Sequence, residues 1–179
     1  MGALRIVVLG LSITSSWGNG HATTFRALLR ALAARGHDLL FLERDAPWYA
    51  RHRDLPAPPF CRTHLYPDPD ALRRRFSAAV RDAELVVVGS YVPDGIAVID
   101  WVQRTARGLV AFYDIDTPVT LRALERDGCA YLAAAQVPRF DLYLSFSSGP
   151  VLERLERRFG AARARPRRCG AHAPGADRP

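Results

Sequence analysis

The sequence contains no lysine; all 25 of its basic residues are arginine. A phosphate-gripping loop of the form GxxxxGK[ST] is therefore excluded outright. GxSxG and HExxH are also absent. That removes the nucleophile elbow of the serine hydrolases and the paired zinc histidines of the zincins. No apolar run approaches the roughly 20 residues that span a bilayer, so no transmembrane segment is expected. The opening MGALRIVVLG lacks a basic segment, a long apolar run and a cleavage site, so it does not read as a secretory signal. Gly2 is no myristoylation signal either, because Ile6 stands where Ser or Thr is needed. Cysteine is scarce: Cys61, Cys129 and Cys169 lie far apart, outside any metal-ligand or redox spacing. They read as small buried apolar side chains in a reducing cytoplasm.

What remains is an ordinary globular composition. The 179 residues suffice for one domain with a real core, and the apolar fraction of 49% beside 24% charged residues is that of a soluble protein. The net charge is +7, but residues 161–179 hold five Arg and one Asp, which leaves +3 for the other 160. No arginine stripe marks one face of a folded element, so nucleic acid is not an expected partner.

Along the chain, β-like and helical segments alternate. LRIVVLG (4–10) is a continuous apolar run closed by Gly10, as expected of a strand buried on both faces. Residues 21–36 place Phe25, Leu28, Leu29 and Leu32 at helical spacing, with Gly36 as a stop. Further strands are expected at 37–44, 61–67, 84–90, 108–116 and 140–147. Helices are expected at 67–83 (capped by Asp68 or Asp70), 95–106, 117–128 and 148–160, with a short helix or turn at 129–139. Residues 45–60 carry four prolines and read as a long loop. Such alternation predicts an α/β fold, a Rossmann-like, doubly wound parallel sheet of about six strands in the order 3-2-1-4-5-6. The domain spans residues 1–160. Residues 161–179 are almost entirely Arg, Ala, Pro and Gly, the composition of a disordered tail or of a GC-rich gene read out of frame.

In an open parallel sheet, ligands sit beyond the carboxyl ends of the strands, where strand order reverses. The loop after the first strand reads SSWGNGHATT. Gly18 and Gly20 allow close backbone approach, Asn19 lies between them, and the helix that starts here favours an anion such as phosphate. The dinucleotide fingerprint is absent, since seven residues separate Gly10 from Gly18, although Glu43 stands where a ribose-binding acid would. His21 is a natural general base near neutral pH. Asp114 and Asp116 end the fifth strand, within reach of His21 in this strand order. Asp116, followed by Thr117 and Pro118, is expected to cap a helix, which leaves Asp114 as the freer carboxylate.

The run LRIVVLGLSITSSWGNGHATTFRALLRALAARGHDLLFLERD resembles the first β-α-β unit of a GT-B glycosyltransferase, more narrowly of the CgeB-like bacterial family. The resemblance continues through PWYARHRDL, VVVGSYVPDG, FYDIDTPVTL and FDLYLSFSSGPVLERLERRFG, and so covers about residues 4–160. It implies the N-terminal, acceptor-side half of a two-domain enzyme that moves a sugar from a nucleotide-sugar donor to an acceptor hydroxyl. By the same resemblance, His21 would deprotonate the acceptor and Asp114 or Asp116 would steady it. Gly18, Asn19 and Gly20 would face the donor phosphates, and neither metal nor bound cofactor is required. Retaining members work differently, which leaves the base role open. The donor half is absent from this sequence, so the resemblance implies a truncated, inactive chain or a separately encoded donor domain. A stand-alone Rossmann-like module that binds a nucleotide or a partner protein is the other reading. A domain missing its other half is also expected to show an apolar patch at the carboxyl edge of its sheet.

Overall fold

The computed structural model describes residues 2–126 and 128–166. Seven parallel strands form one sheet in the order β3-β2-β1-β4-β5-β6-β7. The strands are β1 (Arg5–Gly10), β2 (Asp38–Arg44), β3 (Arg62–Tyr66), β4 (Leu85–Gly89), β5 (Leu109–Asp114), β6 (Leu142–Ser145) and β7 (Ala164–Pro166). The helices are α1 (His21–Ala33), α2 (Pro47–Ala50), α3 (Pro69–Asp82), α4 (Gly95–Thr105), α5 (Thr117–Glu125) and α6 (Pro150–Phe159), with a 3-10 turn at Ala134–Arg139.

The order expected for six strands is present, and a seventh extends it. β7 pairs with β6, and Ala164 is buried against the core. Regular structure therefore runs six residues past the expected boundary at 160. Buried Ala164 also donates its N–H to Glu156 of α6 at 3.0 Å, so β7 is held by α6 as well as by β6. The tail expected beyond it lies outside the described residues. Cys61 is half-buried and Cys129 buried, both as free thiols, while Cys169 also lies outside the described residues.

Strand alternation divides the core in two. Val7, Leu9, Val86, Val88, Val110 and Phe112 point to one face and pack against residues of α3, α4, α6 and the 3-10 turn. Ile6, Val8, Phe41, Val87, Ala111 and Tyr113 point to the other, where Phe25 and Leu29 of α1 cover them. The register Val8↔Phe41 and Val8↔Val87 keeps these sets level across the sheet. Asp68 caps α3, accepting the Ala71 N–H at 2.7 Å.

The two strands that flank the switch point both end in glycine, and packing explains why. A Cβ at Gly10 would lie 2.4 Å from the Phe41 ring and 2.9 Å from that of Phe25; at Gly89 it would lie 2.7 Å from Phe25. Phe25 therefore nests over both strand ends. His21 lies one helical turn earlier on the same face of α1, so this packing sets its position.

Candidate functional site

The strand order reverses between β1 and β4, and the loops after β1, β4 and β5 meet there. The first loop is held from below. Glu43, at the end of β2, is fully buried and accepts the N–H groups of Ile13 at 2.7 Å and Thr14 at 3.0 Å. It also accepts the hydroxyls of Thr14 at 2.6 Å and Ser12 at 3.3 Å. Its carboxylate is committed to the loop, which argues against the ribose-binding role and leaves nicotinamide binding without its acid. A buried carboxylate persists only when its oxygens are satisfied in this way.

The loop is latched a second time from the side. Asp54 accepts the Ser16 N–H at 2.8 Å and hydrogen bonds from the two terminal guanidinium nitrogens of Arg26, at 2.7 and 2.9 Å. Of the residues expected to face a ligand, Gly18 is exposed with φ +64°, a conformation that suits glycine. Gly20 is exposed but has an ordinary φ of −85°. Asn19 is occupied by the fold itself. Its Oδ1 accepts the Ala22 N–H at 3.1 Å, and its Nδ2 donates to the carbonyls of Ser15 and Trp17.

His21 opens α1, 8% exposed, with Nδ1 buried and lacking a hydrogen-bond partner among the described residues. Burial alone lowers its pKa to about 4, because a charged imidazole would lose its hydration there. The imidazole meets the edge of Tyr91, with ring centroids 5.2 Å apart. Tyr91 follows β4 and has φ +62°, an outlying conformation for a bulky side chain of the kind that clusters at functional sites. Its ring packs on Tyr131, and its hydroxyl donates a long bond of 3.4 Å to Asp116.

Asp116 stands at the N-cap position as expected, but Asp114 is not the freer carboxylate. Asp114 is fully buried and accepts the hydroxyls of Tyr143 at 2.7 Å and Thr120 at 3.0 Å, and the Asp116 N–H at 3.1 Å. Burial pushes its carboxyl pKa up, against the lowering pull of these bonds. Asp116 begins α5 through its backbone, without a side-chain cap, and its half-buried carboxylate is the freer of the two. The reason is geometric. Asp114 is the last residue of β5 and points into the sheet–helix seam, while Asp116 has already left it. No His21–Asp114 hydrogen bond forms among the described residues, so the structure assembles His21, Tyr91 and Asp116 instead.

No protein-family model matches the chain, and no curated protein matches it. Among solved structures, the chain is similar to the crystal structure of LpCGTa in complex with UDP, with a TM-score of 0.50 at 16% identity. The match covers 92% of this chain and 52% of LpCGTa. The likeness is one of fold, a Rossmann-like α/β domain with a parallel sheet flanked by helices. This chain spans about half the length of that neighbour. The likeness extends to architecture; the narrower CgeB-like resemblance rests on the motifs quoted above.

Tyr91 is the contributor that sequence reasoning missed, and Glu43, which the sequence offers as a ribose-binding acid, anchors the loop after β1 instead. Tyr91 sat unremarked in YVPDG, and positive φ leaves no trace in a tyrosine. Glu43 carried a signal, a single acid at the end of the apolar run LLFLE, whose meaning is an internal anchor. Among the described residues, no group of His, Cys, Asp and Glu is arranged to hold a metal ion. No helix there is long and apolar enough to cross a membrane. Large apolar side chains stand exposed at both edges of the sheet: Trp17, Trp48, Ile96, Val119 and Phe146 in segments at the carboxyl edge, and Leu4 and Leu109 at the amino edge, with Leu109 the most exposed at 59%.

Proposed function

We propose that the chain is the acceptor-side half of a glycosyltransferase that moves a sugar from a nucleotide-sugar to an acceptor hydroxyl. The observation that carries this reading is the place of His21, at the start of α1 and at the switch point of a sheet whose fold is shared with LpCGTa, a protein solved with UDP. In the reaction, the acceptor oxygen forms a bond to the sugar's anomeric carbon. The bond from that carbon to the diphosphate breaks, and the nucleoside diphosphate leaves with the electron pair. His21 takes the acceptor proton. No carboxylate contacts the imidazole among the described residues, so its new charge would be offset by the departing diphosphate. Exposed Gly18 and the start of α1 would meet such an anion.

The same lack of a carboxylate at His21 supports a second reading, a Rossmann-like module that binds a nucleotide or a partner protein without turnover. One experiment separates the two. The gene is read in all three frames beyond codon 160, any donor domain found is expressed with this chain, and nucleoside-diphosphate release is measured. The transfer reading expects release that His21→Ala lowers by roughly 10²-fold. Release that survives His21→Ala removes the histidine from the mechanism, and absence of any donor domain or release favours the module.

A further inference from the structure

Beside the switch point lies an open cleft of about 400 Å³, lined by Ser16, Trp17, Arg51, His52, Arg53 and Asp54. Its floor is aromatic. The Trp17 indole stacks on His52 with centroids 4.5 Å apart and planes within 10°, yet Trp17 remains 52% exposed. An exposed tryptophan held in place is unusual, because a free surface indole loses nothing by moving. Here the backbone on both sides is fixed. Ser15 Oγ donates to the His52 carbonyl at 2.7 Å, the Leu55 N–H to the Thr14 carbonyl at 3.0 Å, and Asp54 ties Ser16 to Arg26.

The charges of the cleft are sorted. Arg26 neutralises Asp54 through two bonds. Arg53 is taken up by Asp45 and Thr14. Arg51 is exposed and has no ion-pair partner among the described residues. The open cleft therefore offers an aromatic platform and, at Arg51, a guanidinium with no ion-pair partner among the described residues. Aromatic faces hold apolar ring faces, and a guanidinium holds carboxylate or phosphate.

We propose that the Trp17–His52 cleft binds a ring with an apolar face that carries an anionic group, the ring lying on the aromatic pair and the anion at Arg51. The proposal goes beyond sugar transfer and does not depend on it, since the cleft can be tested without donor or turnover. An acidic sugar and a nucleotide share this chemistry.

The test is a fluorescence titration of the whole protein carrying Trp48→Phe, so that Trp17 and the buried Trp101 report. The probes are glucuronate, uridine monophosphate and, as a neutral control, glucose. The expected result is a saturable change below ~10 mM with at least one anionic probe and none with glucose. Arg51→Gln should weaken it by about tenfold; Trp17→Leu removes the reporter, so its binding is read by titration calorimetry and should be lost, with circular dichroism unchanged in both. Saturation by glucuronate alone assigns an acidic sugar; by the nucleotide alone, a nucleotide; by both, the shared chemistry. No saturation with either, equal binding of glucose, or an undiminished response in Arg51→Gln overturns the proposal.

Discussion

Acidification should destabilise this protein through His21 in a way that one substitution exposes. The imidazole is 8% exposed, and burial lowers its pKa from 6.5 to about 4. The folded state therefore binds fewer protons than the unfolded chain between these values. Stability must then fall as pH drops through that window. Linkage with these two pKa values gives a loss of about 2 kcal/mol between pH 7.5 and pH 5. Other groups titrate in this range. Asp114 has its pKa raised by burial, so its contribution has the opposite sign and falls as pH rises through the window above its ordinary value. The comparison with His21→Gln cancels such terms, because only the imidazole is lost. Urea unfolding at both pH values measures the difference between the two proteins. The wild type should lose about 2 kcal/mol more than the variant on acidification. Equal losses would refute the reasoning, and would mean that the imidazole is solvated or gains a proton acceptor at Nδ1.

Two further substitutions test how the site is held. Glu43→Gln sets an amide donor among four donor groups; losing charge-assisted bonds at a buried site should cost about 3 kcal/mol in urea unfolding, and a cost under about 1 kcal/mol would show that the loop after β1 does not hang on Glu43. Gly10→Ala drives a methyl into the Phe41 and Phe25 rings. It should lower stability by about 2 kcal/mol and move the resonances of His21 as Phe25 is displaced, and unchanged histidine spectra would disconnect that packing from the site.

Regular structure was legible because its signals are local and repeated. The apolar runs of β1, β4 and β5 and the helical spacing of Phe25 and Leu29 announce two-sided burial of a parallel sheet, and handedness then leaves few orders for six strands. β7 was hidden because three residues, Ala164–Pro166, carry no period, and their pairing depends on β6 rather than on themselves. The loops were legible by place but not by role. That His21 and the two aspartates stand at the carboxyl edge follows from topology. Which aspartate is buried depends on whether β5 ends at residue 114 or 116, a shift of two residues along one side of the strand. The roles of Glu43, Asp54 and Tyr91 come from contacts between segments distant in sequence, and no spacing rule encodes them.

The left-handed backbone of Tyr91 sets backbone strain against side-chain packing. Glycine at that position would relieve a strain on the order of 1 kcal/mol, and it would also delete the ring that touches His21 and Tyr131. Selection for a hardier fold alone would favour that exchange, and so would a designer ranking substitutions by backbone comfort. Both would arrive at a sturdier protein with a hollow at the meeting point of its three loops. Tyrosine there trades backbone comfort for ring contacts that join the loops after β1 and β4.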